Sequence, residues 1–172
     1  MTNTVNLTLI AIKGPKNTKR DRLRFIRSDG SQEEIEMPRQ GILPHDLVHA
    51  LVEQGFQLQG GFLGLVASGA SPQFLLSKEL PKTTETGIAE SVVEAMQTQL
   101  AQGYFDYESF IYGVETACAS RQIYVIEPLE PSLALSIFND GIALNTQWQA
   151  LAQTDVLTLN LVMIKTHSSP CQ

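Results

Sequence analysis

The sequence predicts an α+β fold: a mainly antiparallel sheet, made of an N-terminal three-stranded meander plus a C-terminal strand, covered by four to five helices. Three observations carry that expectation. Apolar and polar residues alternate with period two near both chain ends, the middle of the chain repeats its apolar residues at helical spacing, and the last alternating segment is too apolar to stand alone.

The first strand is read from Val5, Leu7 and Leu9, which alternate with Asn6 and Thr8; the run continues through Ile10 and Ile12 until Gly14-Pro15 stops it. Leu23 and Phe25 alternate with Arg22 and Arg24, and Ile35 and Met37 alternate with Glu34 and Glu36. A two-residue Asp29-Gly30 loop between these runs would set Phe25 against Glu34 and mix core with surface. A three-residue loop, Asp29-Gly30-Ser31, is therefore expected. It pairs Leu23 with Met37 and Phe25 with Ile35, and it sets Arg24 against Glu36 and Arg27 against Glu33.

Helices follow. One is expected from Pro44 to Phe56, ending near Gly60-Gly61, with Pro44 at the first helical position. Phe62 to Ala67 is helix or buried strand, and Gly69 to Pro72 is a break. Ile88, Val92, Met96 and Leu100 fall at helical spacing after a Thr84-Glu85 start, and Gly103 ends that helix. Asp106 caps the next, with Phe110, Val114 and Cys118 in one stripe. Ile123 to Ile126 is a short β-like run, Ser132 to Phe138 is ambiguous, and Asn139-Asp140-Gly141 is a turn. Leu144, Trp148 and Leu151 mark a last helix; Leu157, Leu159, Leu161 and Met163 mark the last strand.

Composition narrows the function classes. At 172 residues, 43% hydrophobic and 17% charged, the chain suits one domain, residues 1–172, with a sizeable core. The net charge of −6 argues against nucleic-acid coating, although residues 1–39 hold eight basic and five acidic side chains. No run is apolar enough to cross a membrane, and the first residues lack a signal-peptide pattern, so a cytoplasmic protein is expected. Cys118 reads as a small buried hydrophobe and Cys171 as an exposed tail thiol. Lys13, Lys16, Lys19 and Arg20 read as a solvated loop. Tyr104, Phe105, Tyr107, Phe110 and Tyr112 read as core, or as the rim of a pocket or interface.

The chemistry-bearing pattern is His45-x3-His49-x3-Glu53, three side chains stacked along one side of a helix. At about 100° per residue the histidines border the apolar arc of Leu47, Val48, Leu51 and Val52, with Glu53 one step further toward water. Two imidazoles at i, i+4 can share one divalent ion, zinc or similar, with Glu53 as third ligand, orienting group or general base. The first-turn His45 is expected to be neutral, as a ligand or base must be. Three ligands in strict i, i+4, i+8 steps are strained, so further ligands are expected from another helix, where Glu90, Glu94, Asp106, Glu108 and Glu115 are the acidic stock.

The expected function is a divalent-metal or acid–base site serving hydrolytic or lyase-type chemistry on a small molecule. The alternative is a non-catalytic protein-interaction or structural module in which the His helix is packing. The first reading requires a carboxylate from another segment within reach of both histidines, and a concave surface beside it.

Leu43 to Glu53, continued by Gly61-Phe62-Leu63-Gly64-Leu65, resembles a group of uncharacterised bacterial proteins that carry an HDLxHxxVE helix followed by GFxGL. That resemblance implies no activity. His45 to His49 also resembles the HDxxH zinc motif of a ubiquinone-biosynthesis family. The glutamate which that family places after eleven further residues is Gly61 here, so the pattern breaks. A GxSxG elbow is lacking around Ser68, and Gly60, Gly61 and Gly64 read as helix termination and close packing rather than a nucleotide loop.

Overall fold

The computed structural model describes residues 3–77 and 80–166, so the expectation for Cys171 lies outside the described residues. Four strands, β1 (Thr4–Ile12), β2 (Arg20–Arg27), β3 (Gln32–Pro38) and β4 (Val156–Ile164), form one antiparallel sheet in the order β3-β2-β1-β4. The C-terminal strand joins the open edge of the meander, as the alternation predicts. Leu7, Leu9, Ala11, Leu23, Phe25, Ile35, Met37, Leu161 and Met163 face the core, and the helices cover that side alone. No helix among the described residues is long and apolar enough to cross a membrane.

The β2–β3 register differs from the expected one by two residues. Leu23 pairs with Ile35, Asp21 with Met37, Phe25 with Glu33 and Arg24 with Glu34. The loop is Ser28-Asp29-Gly30, closed by Gly30 N donating to Arg27 O and Arg27 N to Ser31 O, both 2.9 Å. Its last residue must take positive φ, and Gly30 does so at +84°. The expected loop would have put Ser31 there. A shift of two preserves every in/out assignment while changing each partner. The Arg27–Glu33 ion pair survives as a diagonal contact. Arg27 itself is buried, its Nε donating to Val66 O (2.7 Å) and Nη2 to Ala70 O (2.8 Å).

Among the described residues six helices follow: α1 (His45–Gly55), α2 (Phe62–Ala67), α3 (Pro72–Ser77), α4 (Thr84–Gln102), α5 (Tyr107–Ser120) and α6 (Pro131–Ala150). The 62–67 segment is helical, and α3 occupies part of the expected break. Thr83 caps α4 by accepting from Thr86 N, and Asp106 caps α5 by accepting from Ser109 N, each satisfying an amide the first turn leaves open. Gly103 ends α4 with φ +81°.

Two further expectations fail. Residues 123–126 pair with no strand, and Tyr124 and Val125 are exposed. Asn139-Asp140-Gly141 is no turn but the middle of α6. Gly141 is buried there, where a Cβ would lie 2.8 Å from Leu100 and 3.3 Å from Leu51. The glycine serves close helix packing, and the apolar burial of Ile137, Phe138, Leu144 and Trp148 on either side outweighs the local turn propensity.

Of the basic residues read as a solvated loop, Lys16, Lys19 and Arg20 are exposed, and Lys13 alone is half-buried. Lys13 lies over the Trp148 ring, 4.3 Å from its centroid, and burial lowers its pKa. Arg39 bonds Asp21 and the carbonyls of Gly14, Pro15 and Thr18, pinning the loop.

Candidate metal centre

Helix α1 enters through Pro44 and runs against α2 and α4, and the two histidines sit where those helices meet. Phe62 packs beside His49, ring centroids 5.8 Å apart. His45 and His49, one turn apart, turn their Nε2 atoms toward each other at 3.1 Å, the rings nearly perpendicular at 82°. Each holds its other nitrogen elsewhere. His45 Nδ1 donates to Gln97 Oε1 (2.7 Å), and His49 Nδ1 donates to Glu53 Oε2 (2.9 Å). With both rings neutral, the two Nε2 atoms present lone pairs to the same space.

The third group comes from α4. Glu90 Oε1 lies 3.5 Å from His49 Nε2; one ligand atom each from His45, His49 and Glu90 lies within 4.8 Å of the others, an arrangement that can hold a metal ion. Glu90 Oε1 is buried and accepts no hydrogen bond. Ligand atoms about 2.0–2.1 Å from a tetrahedral zinc sit roughly 3.3–3.4 Å apart; two of the three separations, 3.1 and 3.5 Å, lie close to that length, and the third is within 4.8 Å.

Glu53 is not turned toward water as the projection suggests. Only 1% exposed, it accepts from His49 Nδ1, Leu63 N (3.1 Å) and Gly64 N (3.0 Å). Its oxygens are thereby engaged, and it stands behind His49 rather than among the converging atoms. Of the roles considered for it, orienting His49 is the one this geometry supports.

The rest of the acidic stock is otherwise engaged or remote. Glu94 pairs with Arg121, Asp106 caps α5, and Glu108 and Glu115 are exposed. Glu90 and Gln97 stand seven residues apart, two turns along one face of α4, which is why both reach α1. That i, i+7 pairing was the available sequence signal for Gln97, the partner that reading for acidic residues alone passes over.

Electrostatics favour positive charge at this point. Burial opposes a charge on His49, but the hydrogen bond and charge of Glu53, with Glu90 and Asp46 adding, outweigh it and raise the pKa. Burial likewise raises the Asp46 carboxyl, against the pull of both histidines. Arg121 feels Glu90 electrostatically, yet makes its hydrogen bonds to Glu94, Ser91 and Ala117 O.

Glu90 also lines a cleft of about 550 Å³, together with Leu80, Thr83, Thr86, Arg121 and Ile123. Of the two features the metal-site reading requires, the carboxylate from another helix is present, while the cleft touches Glu90 and neither histidine. The aromatic segment divides: Phe105 and Phe110 stack into the core with Phe56 and Phe138, while Tyr104 and Tyr112 are exposed. Comparison with protein-family models, with curated proteins and with solved structures returns no match for this chain.

Proposed function

We propose that His45, His49 and Glu90 are the ligands of a divalent-metal centre, zinc or similar, serving hydrolytic or lyase-type chemistry on a small molecule. One observation carries the proposal: His45 Nε2, His49 Nε2 and Glu90 Oε1 come together from two helices, and Glu90 Oε1 is buried there and accepts no hydrogen bond. Leaving such atoms unsatisfied costs about 1–3 kcal/mol each, more for a charged group, whereas one cation satisfies all three.

Three protein ligands leave a coordination position for water or substrate, the pattern of catalytic rather than structural zinc sites. A divalent ion held by these residues would lower the pKa of bound water and polarise an oxygen of a small molecule, which the cleft lined by Glu90 would admit. Glu53 holds the His49 tautomer and does not reach the reacting atoms.

The rival occupant is a proton shared between the two Nε2 atoms, which the raised pKa of His49 favours and which suits an acid–base role. Elemental analysis of untagged protein, followed by zinc titration, separates the two. The metal proposal requires about one equivalent of Zn, Mn, Fe or Ni in the wild-type chain, and none in His45→Ala/His49→Ala. Absence of metal, together with no change in melting temperature on metal addition, overturns it in favour of the proton.

A further inference from the structure

We infer that Glu53 is the positioning residue of this centre and that Gly61-Phe62-Leu63-Gly64, on the next helix, is the cradle that keeps its carboxylate in place. The inference rests on the metal reading above and adds to it how the site is held.

The cradle is built from backbone. The chain leaves α1, passes Gly60 at φ +68° and starts α2 at Phe62, so that the Leu63 and Gly64 amides, open at a helix start, point at the carboxylate. Gly61 takes an ordinary φ of −73°, so backbone freedom does not explain it. Space does: a Cβ there would lie 2.3 Å from Glu53 Cδ and from Oε1. At Gly64 a Cβ would meet only ordinary contacts, 3.8 Å from Oε1 and 3.4 Å from the Thr166 hydroxyl, so the space requirement falls on residue 61. The glycine at 61 is thus the cavity into which Glu53 fits.

The consequence falls on His49. With Oε2 fixed by Leu63 N, the one proton of a neutral His49 belongs on Nδ1, and Nε2 is left as the ligand atom aimed at His45 and Glu90. Two stretches of sequence, 45–53 and 61–64, therefore form one unit: the first carries the ligands and the second orients them.

The test uses the full chain, with Zn²⁺ as the probe and a competing chelator to read affinity. Glu53→Gln is expected to keep one site per chain and a tetrahedral Co²⁺ absorption spectrum, with affinity lowered about 10–100-fold. The ¹⁵N shifts of His49 give a second readout that needs no variant. Metal-free wild-type protein, held alkaline enough for neutral imidazoles, should show His49 as the Nδ1–H tautomer, and Glu53→Gln should mix the two forms. If the wild type binds no Zn²⁺, the metal reading fails while the tautomer still tests the cradle. If the wild type binds Zn²⁺ and Glu53→Gln binds it equally well, or if wild-type His49 carries its proton on Nε2, the positioning role is overturned. Should Glu53→Gln fail to fold, the wild-type tautomer decides alone.

Discussion

Glu53 Oε2 and His49 Nδ1 lie 2.9 Å apart, both side chains almost wholly buried, one helical turn from each other on α1. This contact fixes which face His49 shows to the rest of the molecule. Without it the imidazole could rotate or change tautomer, and the convergence with His45 and Glu90 would be lost.

Glu90→Gln should act in opposite directions on stability and on metal binding. In metal-free protein the amide can donate to one of the facing Nε2 atoms and removes a buried charge, so stability should hold or rise by about 1 kcal/mol. Zinc affinity should fall by at least tenfold. Urea unfolding in chelator and zinc titration of the same sample check both signs; a destabilised metal-free variant contradicts the orphaned-acceptor argument.

Zinc should stabilise the wild-type chain by about 2.7 kcal/mol at a free concentration one hundred times the dissociation constant, and the His45→Ala/His49→Ala chain not at all. Thermal unfolding over a zinc series measures this, and an equal shift in both chains would point to non-specific binding.

Gly61→Ala should weaken zinc binding although residue 61 is no ligand, because its Cβ displaces the Glu53 carboxylate. Gly141→Val provides the contrast. It crowds Leu100 and Leu51 inside the helix layer and should destabilise the chain by about 1–3 kcal/mol. Its zinc affinity should stay at the wild-type value. The pair, measured by unfolding and by titration, separates damage to the fold from damage to the site.

Asp21 should set part of the acid limb of stability. It is fully buried; burial works to raise its pKa, but the hydrogen bonds from Arg39 and Gly14 N outweigh it and hold the pKa below its ordinary value of 3.8. Its contribution is therefore present above that value and is lost as pH falls through the lowered folded-state pKa. Asp21→Asn should cost about 3 kcal/mol at neutral pH, the low end for breaking a buried pair, since Arg39 retains some water. The same change should flatten the stability profile below pH 4, and urea unfolding across pH 2 to 7 reads both effects.

What the amino-acid pattern determined by itself depends on neighbours along the chain. Alternation marked all four strands and their inward faces. The stripe of Phe110, Val114 and Cys118 and the capping residue Asp106 marked α5, and the four-residue step from His45 to His49 placed the two histidines side by side. What only the tertiary structure decided was which distant group meets which. Glu90 rather than Glu94 reaches the histidines because α4 turns that face to α1. Glu53 lies inside rather than out because two α2 amides offer its carboxylate partners that water would otherwise supply. Asn139-Asp140-Gly141 stays helical because burial against Leu100 and Leu51 exceeds a turn preference of about 1 kcal/mol. Periodicity is a local property and shows in one dimension, while a metal site is a coincidence of side chains from separate elements, legible only once those elements are packed.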